Sequence, residues 1–154
     1  MRMAVLTISD ASWMKMRKDE SGPAVKARLE GKSWTVPLLE ILPDERPLIE
    51  TRLRDLADSG DYACIFTTGG TGPAPRDVTP EATLAVIERE MPGLAERMRA
   101  EGSRITPFAA LSRGVCGIRG KTLIVNLPGS PKGAVESVES ILELIPWLVQ
   151  LMRP

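Results

Sequence analysis

A chain of 154 residues has the length of about one domain and can bury roughly two-thirds of the surface its unfolded form exposes. Its 20 basic and 20 acidic residues cancel, which excludes a broad positive field for nucleic acid or an anionic membrane. Histidine is absent, so mechanisms that need imidazole are excluded and the usual nitrogen-rich or sulfur-rich zinc sites are implausible.

The N-terminus runs from Met1 into the apolar MAVLTI without the features of a secretory signal, which predicts a cytoplasmic protein. Met3 to Ile8 is expected as the first strand and Ser9 to Glu20 as a polar loop. Ser21-Gly22-Pro23 then offers a capping hydroxyl and an early proline for a helix through Leu29. A second strand, Val36 to Leu42, leads through Pro43-Asp44-Glu45 to a helix with Leu48, Ile49, Leu53, Leu56 and Ala57 on one face. Tyr62 to Thr67 is apolar on successive residues, as a central parallel strand requires, and runs into Gly69-Gly70-Thr71-Gly72.

Thr79-Pro80 is expected to cap a helix with Leu84, Val86, Ile87 and Met91 on its apolar side, broken by Pro92-Gly93 before a shorter helix to Ala100. Val115 to Ile118 and Thr122 to Leu127 read as strands joined tightly at Arg119-Gly120-Lys121. A last helix from about Pro131 carries Val135, Val138, Ile141, Leu142 and Ile145 at core spacing, and Pro146 should kink or end its first section. Ile141 to Met152 is broken by Glu143, Pro146 and Gln150 and falls short of the ~20 residues needed to cross a bilayer. Cys64 and Cys116 sit in apolar stretches and are expected as buried free thiols. The alternation predicts one α/β domain over residues 1–154, with a largely parallel sheet and helices on both faces.

Ligands of open α/β sheets collect at the carboxyl ends of strands, and the unusual residues of this chain concentrate there: Ser9-Asp10, Asp44, Gly69 to Asp77, and Asn126 to Lys132. The glycines would let backbone amides approach a phosphate or a pterin ring, and Thr68 and Thr71 add hydroxyls. Alone, that tetrad is an ordinary turn and not the GxxxxGKS phosphate loop. Asp77 alone reads as a helix cap, and so does Asp44 in Pro-Asp-Glu. Together they suit a magnesium ion, which takes a carboxylate or two plus phosphate oxygens. Asn126-Leu127-Pro128-Gly129-Ser130-Pro131-Lys132 offers amides, a hydroxyl and a lysine to an anion at a helix start. Lys15, Arg17 and Lys18 form a small basic run, which is either a phosphate contact or a solvated face.

These residues resemble the molybdopterin adenylyltransferases, the MogA-like proteins related to the gephyrin G domain and its plant counterpart. The resemblance spans almost the whole chain and rests on Ser9-Asp10, DESGP from Asp19 to Pro23, LPDE from Leu42 to Glu45, TTGGTGPAPRDVTPEAT from Thr67 to Thr83, ITPFAALSR from Ile105 to Arg113, and NLPGSPKG from Asn126 to Gly133. It implies a three-layer sandwich with a mixed sheet, a homotrimer, and transfer of AMP from Mg-ATP to molybdopterin with release of pyrophosphate. It implies Asp44 and Asp77 as the catalytic, magnesium-linked carboxylates. Ser9 and the Gly69 to Gly72 loop would line the bound pterin or nucleotide, the NLPGSPK turn would add binding, and the product would pass to a molybdate-inserting, MoeA-like protein. The sequence departs from the pattern in the first loop, where Ala11 and Lys15 stand in place of a frequent arginine and glycine.

Two rival readings share this fold: a molybdopterin carrier or scaffold without transfer activity, and a CinA-like or MoeA-like domain. Intact acids at Asp44 and Asp77 argue against the first, and the PAPRDVTPEAT continuation with the single-domain length argues against the second.

Overall fold

The computed structural model describes residues 1–154. Six strands form one sheet: β1 (Arg2–Ile8), β2 (Thr35–Leu42), β3 (Cys64–Thr68), β4 (Arg89–Glu90), β5 (Cys116–Arg119) and β6 (Thr122–Leu127). Their order is β2-β1-β3-β6-β5-β4. The first four in that order pair in parallel, β5 runs antiparallel to β6, and β4 antiparallel to β5. The sheet is therefore mixed but largely parallel. Parallel central strands are covered on both faces, which explains why β1, β3 and β6 are buried on nearly every residue and largely apolar.

The helices are α1 (Asp10–Trp13), α2 (Ser21–Glu30), α3 (Arg46–Ser59), α4 (Thr79–Val86), α5 (Pro92–Ser103), α6 (Pro131–Ile141) and α7 (Ile145–Met152), with short 3-10 turns at Pro107–Leu111 and Leu142–Leu144. Alternate residues of β1 feed two cores. Met3 and Val5 pack with α2, α5, α6 and α7, whereas Ala4, Leu6 and Ile8 pack with α3 and α4. Pro146 falls in the first turn of α7, so it opens a second helical section after α6. No helix is long and apolar enough to cross a membrane.

Several elements differ from their sequence-based expectation. The helix expected through Met91 stops at Val86, because the chain turns extended and pairs with β5: Glu88 N donates to Ile118 O and Met91 N to Cys116 O. Leu84 on α4 is exposed rather than core, as is Leu48 on α3. Ser21 and Thr79 do not cap their helices through their side chains. Asp19 accepts from Gly22 N at 3.1 Å and takes the capping role at α2, while the Thr79 hydroxyl donates to Gly69 O at 3.0 Å. The expected polar loop contains α1, capped by Ser9, whose hydroxyl accepts from Ser12 N at 3.1 Å.

Candidate functional site

The parallel strands deliver Ser9, Asp44, the glycine loop and the Pro128-Gly129-Ser130 turn to one edge of the sheet. β1 lies between β2 and β3, so the chain leaves β1 toward one side and β3 toward the other, which opens a crevice at this edge. Gly69 sits there at a φ of +102°, and a Cβ on it would lie 2.2 Å from Ile8 O. Gly70 follows at a φ of +67°. No side chain fits either position.

The next glycines make room for the acids. A Cβ at Gly70 would come within 3.0 Å of Asp44 Oδ1, and one at Gly72 within 2.9 Å of Asp77 Oδ2. Each carboxylate thus rests in a notch that an absent side chain leaves, which accounts for the GGTG spacing. Neither aspartate caps the helix that follows it: α3 and α4 begin at Glu45 and Val78 as caps, without a side-chain cap bond. Asp77 Oδ2 instead accepts from Ala74 N at 3.0 Å and closes its own loop.

Asp44 is held from behind by Asp10. Asp10 N donates to Asp44 Oδ2 and Asp44 N donates to Asp10 Oδ1, both at 2.9 Å. Arg76 grips Asp10 with Nε at 2.6 Å from Oδ2 and Nη2 at 3.1 Å from Oδ1, and also reaches Glu45 at 3.0 Å. The Arg76 guanidinium therefore holds the Asp10 carboxyl below the usual carboxylate range. Asp44 moves the other way: burial raises its pKa, and the charges of Asp10 and Asp77 add to the rise. Asp44 Oδ1 is buried without a hydrogen-bond partner, the condition of an oxygen reserved for a cation or a ligand donor.

Two cavities flank this wall and share Gly70, Asp77, Gly129 and Ser130. The first, about 620 Å³, is polar and includes Ser9, Thr68, Asp44, Arg17 and Lys18. The second, about 390 Å³, has an apolar part formed by Ala95, Met98, Phe108 and Leu111 and reaches Thr71, Gly72, Asn126 and Pro128. Asp10 lines neither; it acts on the site by positioning Asp44. Thr68 Oγ1 donates to Pro128 O at 2.7 Å, tying the glycine loop to the β6 turn. Asn126 is spent within the fold: Val115 N donates to its Oδ1, and its Nδ2 donates to Thr67 and Thr83 hydroxyls at 3.0 and 2.9 Å. Ser130 caps α6, accepting from Gly133 N at 3.1 Å. Lys132 points to solvent, its side chain 82% exposed and 3.8 Å from Glu136.

The first loop keeps the shape that a glycine at position 15 would take freely. Lys15 N donates to Ser12 O and Met16 N to Ala11 O, a Schellman closure of α1, with Lys15 left-handed at a φ of +60°. Arg113, which nothing local in the sequence marks as part of the site, donates its backbone N to Thr71 O at 2.8 Å. Its guanidinium donates to Gly72 O and Asp77 O, each at 2.8 Å, and pairs with Glu81. One side chain thereby fastens both ends of the loop that carries Asp77. Its place inside ITPFAALSR was the only signal in the sequence, and it did not say what the arginine holds.

The chain matches over residues 4–148 the family described as "Probable molybdopterin binding domain". It is 47% identical over 150 residues to the molybdenum cofactor synthesis protein cinnamon of Drosophila melanogaster, covering 96% of this chain but 25% of that protein, so it spans a quarter of that relative's length. It is 43% identical over 143 residues to a molybdopterin adenylyltransferase of Haemophilus influenzae, covering 92% of this chain and 73% of the relative. The fold is similar to the crystal structure of the molybdopterin biosynthesis enzyme MoaB from Thermus thermophilus, with 51% identity, a TM-score of 0.93, and coverage of 98% and 95% of the two chains.

Proposed function

The chain belongs to the molybdopterin-binding-domain family, and from that premise we propose that residues 1–154 act as one molybdopterin adenylyltransferase domain in molybdenum-cofactor assembly. The observation that carries the reading is the pair Asp44 and Asp77, delivered from different strands onto the glycine loop, with one buried oxygen of Asp44 left unpartnered. A carrier that only retained the pterin would have no use for two carboxylates set against that wall.

In the reaction, an oxygen of the terminal phosphate of molybdopterin attacks the α-phosphorus of ATP. A new phosphoanhydride bond forms, the α–β bond breaks, and pyrophosphate leaves with its electron pair. The attacking phosphate monoester is already largely dianionic near neutral pH, since its second pKa is about 6. No general base is needed, which suits a chain without histidine. The protein's task is to align the two phosphates and to offset charge. Gly69 N is already given to Leu127 O at 3.1 Å, so the backbone amides of Gly70 to Gly72 and the hydroxyls of Ser9, Thr71 and Ser130 are the groups that would orient them.

The donor set fits magnesium: Asp44 Oδ1 is buried and unpartnered, Asp77 stands beside it, and the neighbouring Asp10 carboxylate is already engaged by Arg76 and by Asp44 N. A magnesium ion keeps its remaining positions for water and phosphate oxygens. Bound there, it would supply neutralisation of the phosphate charge. Hand-over of the adenylylated pterin to a molybdate-inserting, MoeA-like protein and assembly of three 16.8 kDa chains complete the proposal. The free, buried Cys64 and Cys116, with thiol pKa values pushed up to about 12 by burial, fit a reducing compartment such as the cytoplasm.

Purified protein mixed with molybdopterin, Mg-ATP and trace pyrophosphatase should yield adenylylated pterin by mass spectrometry; absence of that product would sink the enzyme reading. Asp77→Asn should abolish turnover and leave pterin binding measurable. If it instead abolishes folding by circular dichroism, the aspartate's loop-closing bond to Ala74 is its main role.

A further inference from the structure

We propose that Arg17 and Lys18 form a phosphate-receiving wall of the polar cleft, binding the terminal phosphates of a substrate. The anionic character of the ligand follows from the side chains alone, while its identity as the oligophosphate of a nucleotide or the phosphate monoester of a pterin rests on the adenylyltransferase reading.

Both side chains line the cleft of about 620 Å³, and neither forms an ion pair. The other arginines beside the site are committed, Arg76 to Asp10 and Glu45, Arg113 to Glu81. The acid next in sequence does not neutralise the pair either, because Asp19 is turned inward: it accepts from Thr7 Oγ1 at 2.7 Å and from Gly22 N at 3.1 Å. Glu20 shares the cleft without pairing with them. Arg17 extends over the end of β1, its Nη2 3.5 Å from Ser9 Oγ.

The backbone beneath these cations is fixed. Arg17 N donates to Ala11 O at 3.3 Å, next to the Schellman closure at Lys15, so the run leaves α1 in one direction. A solvated basic face has no such requirement. The cleft thus carries unpaired cations at Arg17 and Lys18 and acids at Asp44 and Asp77, with Asp19 and Glu20 also on its lining. A metal-bound phosphate presents matching charges of both signs, with oxygens for the guanidinium and ammonium and a cation for the carboxylates.

Isothermal titration of magnesium pyrophosphate, Mg-ATP and molybdopterin into wild-type protein and into Arg17→Ala, Lys18→Ala and the double variant tests the site. Each single change should weaken a phosphate ligand about tenfold, the double change further, as expected for lost charge-assisted hydrogen bonds. The wild-type affinity should fall with added KCl, and Arg17→Lys should retain part of it. Both residues are exposed, so melting curves should not move. Loss for pyrophosphate and ATP assigns the wall to the nucleotide, and loss for molybdopterin alone assigns it to the pterin phosphate. Unchanged affinity of the double variant for all three ligands overturns the proposal. Wild-type binding of pyrophosphate without any adenylylated pterin would remove the adenylyltransferase reading and leave the phosphate site standing.

Discussion

Asp44 is held in a position that costs the fold some stability. Its carboxyl is partly removed from water, faces two other carboxylates and leaves one buried oxygen without a partner. Because its pKa in the fold is raised above 3.8, the protonated form favours folding. That contribution is fully present below the ordinary value and is lost as pH rises through the raised one. Asp10 and Glu81 behave oppositely: arginine partners lower their pKa values, so their contributions are present above the ordinary values and fade as pH falls. Asp44→Asn removes a charge disfavoured by burial and keeps an acceptor for Asp10 N. Calorimetry should show a melting temperature higher by about 1–3 °C, while adenylyl transfer disappears. A lower melting temperature would contradict this account of Asp44. On the proposed mechanism the ionised form serves the phosphates, so kcat/KM should decline on the acid side through a pKa above the ordinary carboxylate value of 3.8. An acid limb at or below that value would assign the titration to another group.

Among the elements, what could be read in advance was whatever burial alone decides. β1, β3 and β6 have apolar residues on both faces, and Gly69 to Gly72 must follow a strand end, so the sheet and the place of the glycine loop at its edge were legible. What could not be read was where a backbone group chooses between two partners. Ile87 continues the apolar pattern of α4, yet Glu88 N finds Ile118 O across the sheet edge, and the helix ends. Thr79 carries the hydroxyl of a cap and spends it on Gly69 O. Asp19 has nothing local to mark it as the residue that joins β1 to the start of α2. The first loop gives the clearest test of such local logic. Lys15 adopts a left-handed conformation at a helix end where glycine carries no Cβ penalty. Lys15→Gly should therefore stabilise the protein by about 1 kcal/mol in urea unfolding. It should not alter the slope with denaturant, because the surface exposed on unfolding is unchanged. A destabilised variant would mean that the lysine stem makes packing contacts worth more than the backbone relief.

At the scale of the molecule, the two cavities divide the chemistry that the reaction requires. One is polar and holds the acids and the free cations, and the other offers Ala95, Met98, Phe108 and Leu111 to something flat and apolar, with Asp77 and Gly70 between them. A nucleotide and a pterin phosphate each carry a planar ring and a charged tail, so in the proposed reaction rings and phosphates need different surroundings on either side of this wall. The separation was only half visible beforehand, because β3 and β6 announce the wall while the apolar cavity depends on α5 folding back beside Pro107–Leu111, a turn that has no periodic signature. The division can be tested by filling the apolar side. Ala109 lines that cavity and not the polar one, and Ala109→Trp places an indole in about 390 Å³ of space. Titration calorimetry should show at least one ring-bearing ligand, ATP or molybdopterin, weakened about tenfold or more, with magnesium pyrophosphate bound as before. The ligand that weakens is the one whose ring occupies the apolar cavity. Equal weakening of pyrophosphate would show that the wall itself had moved, and that the two cavities respond as a single pocket.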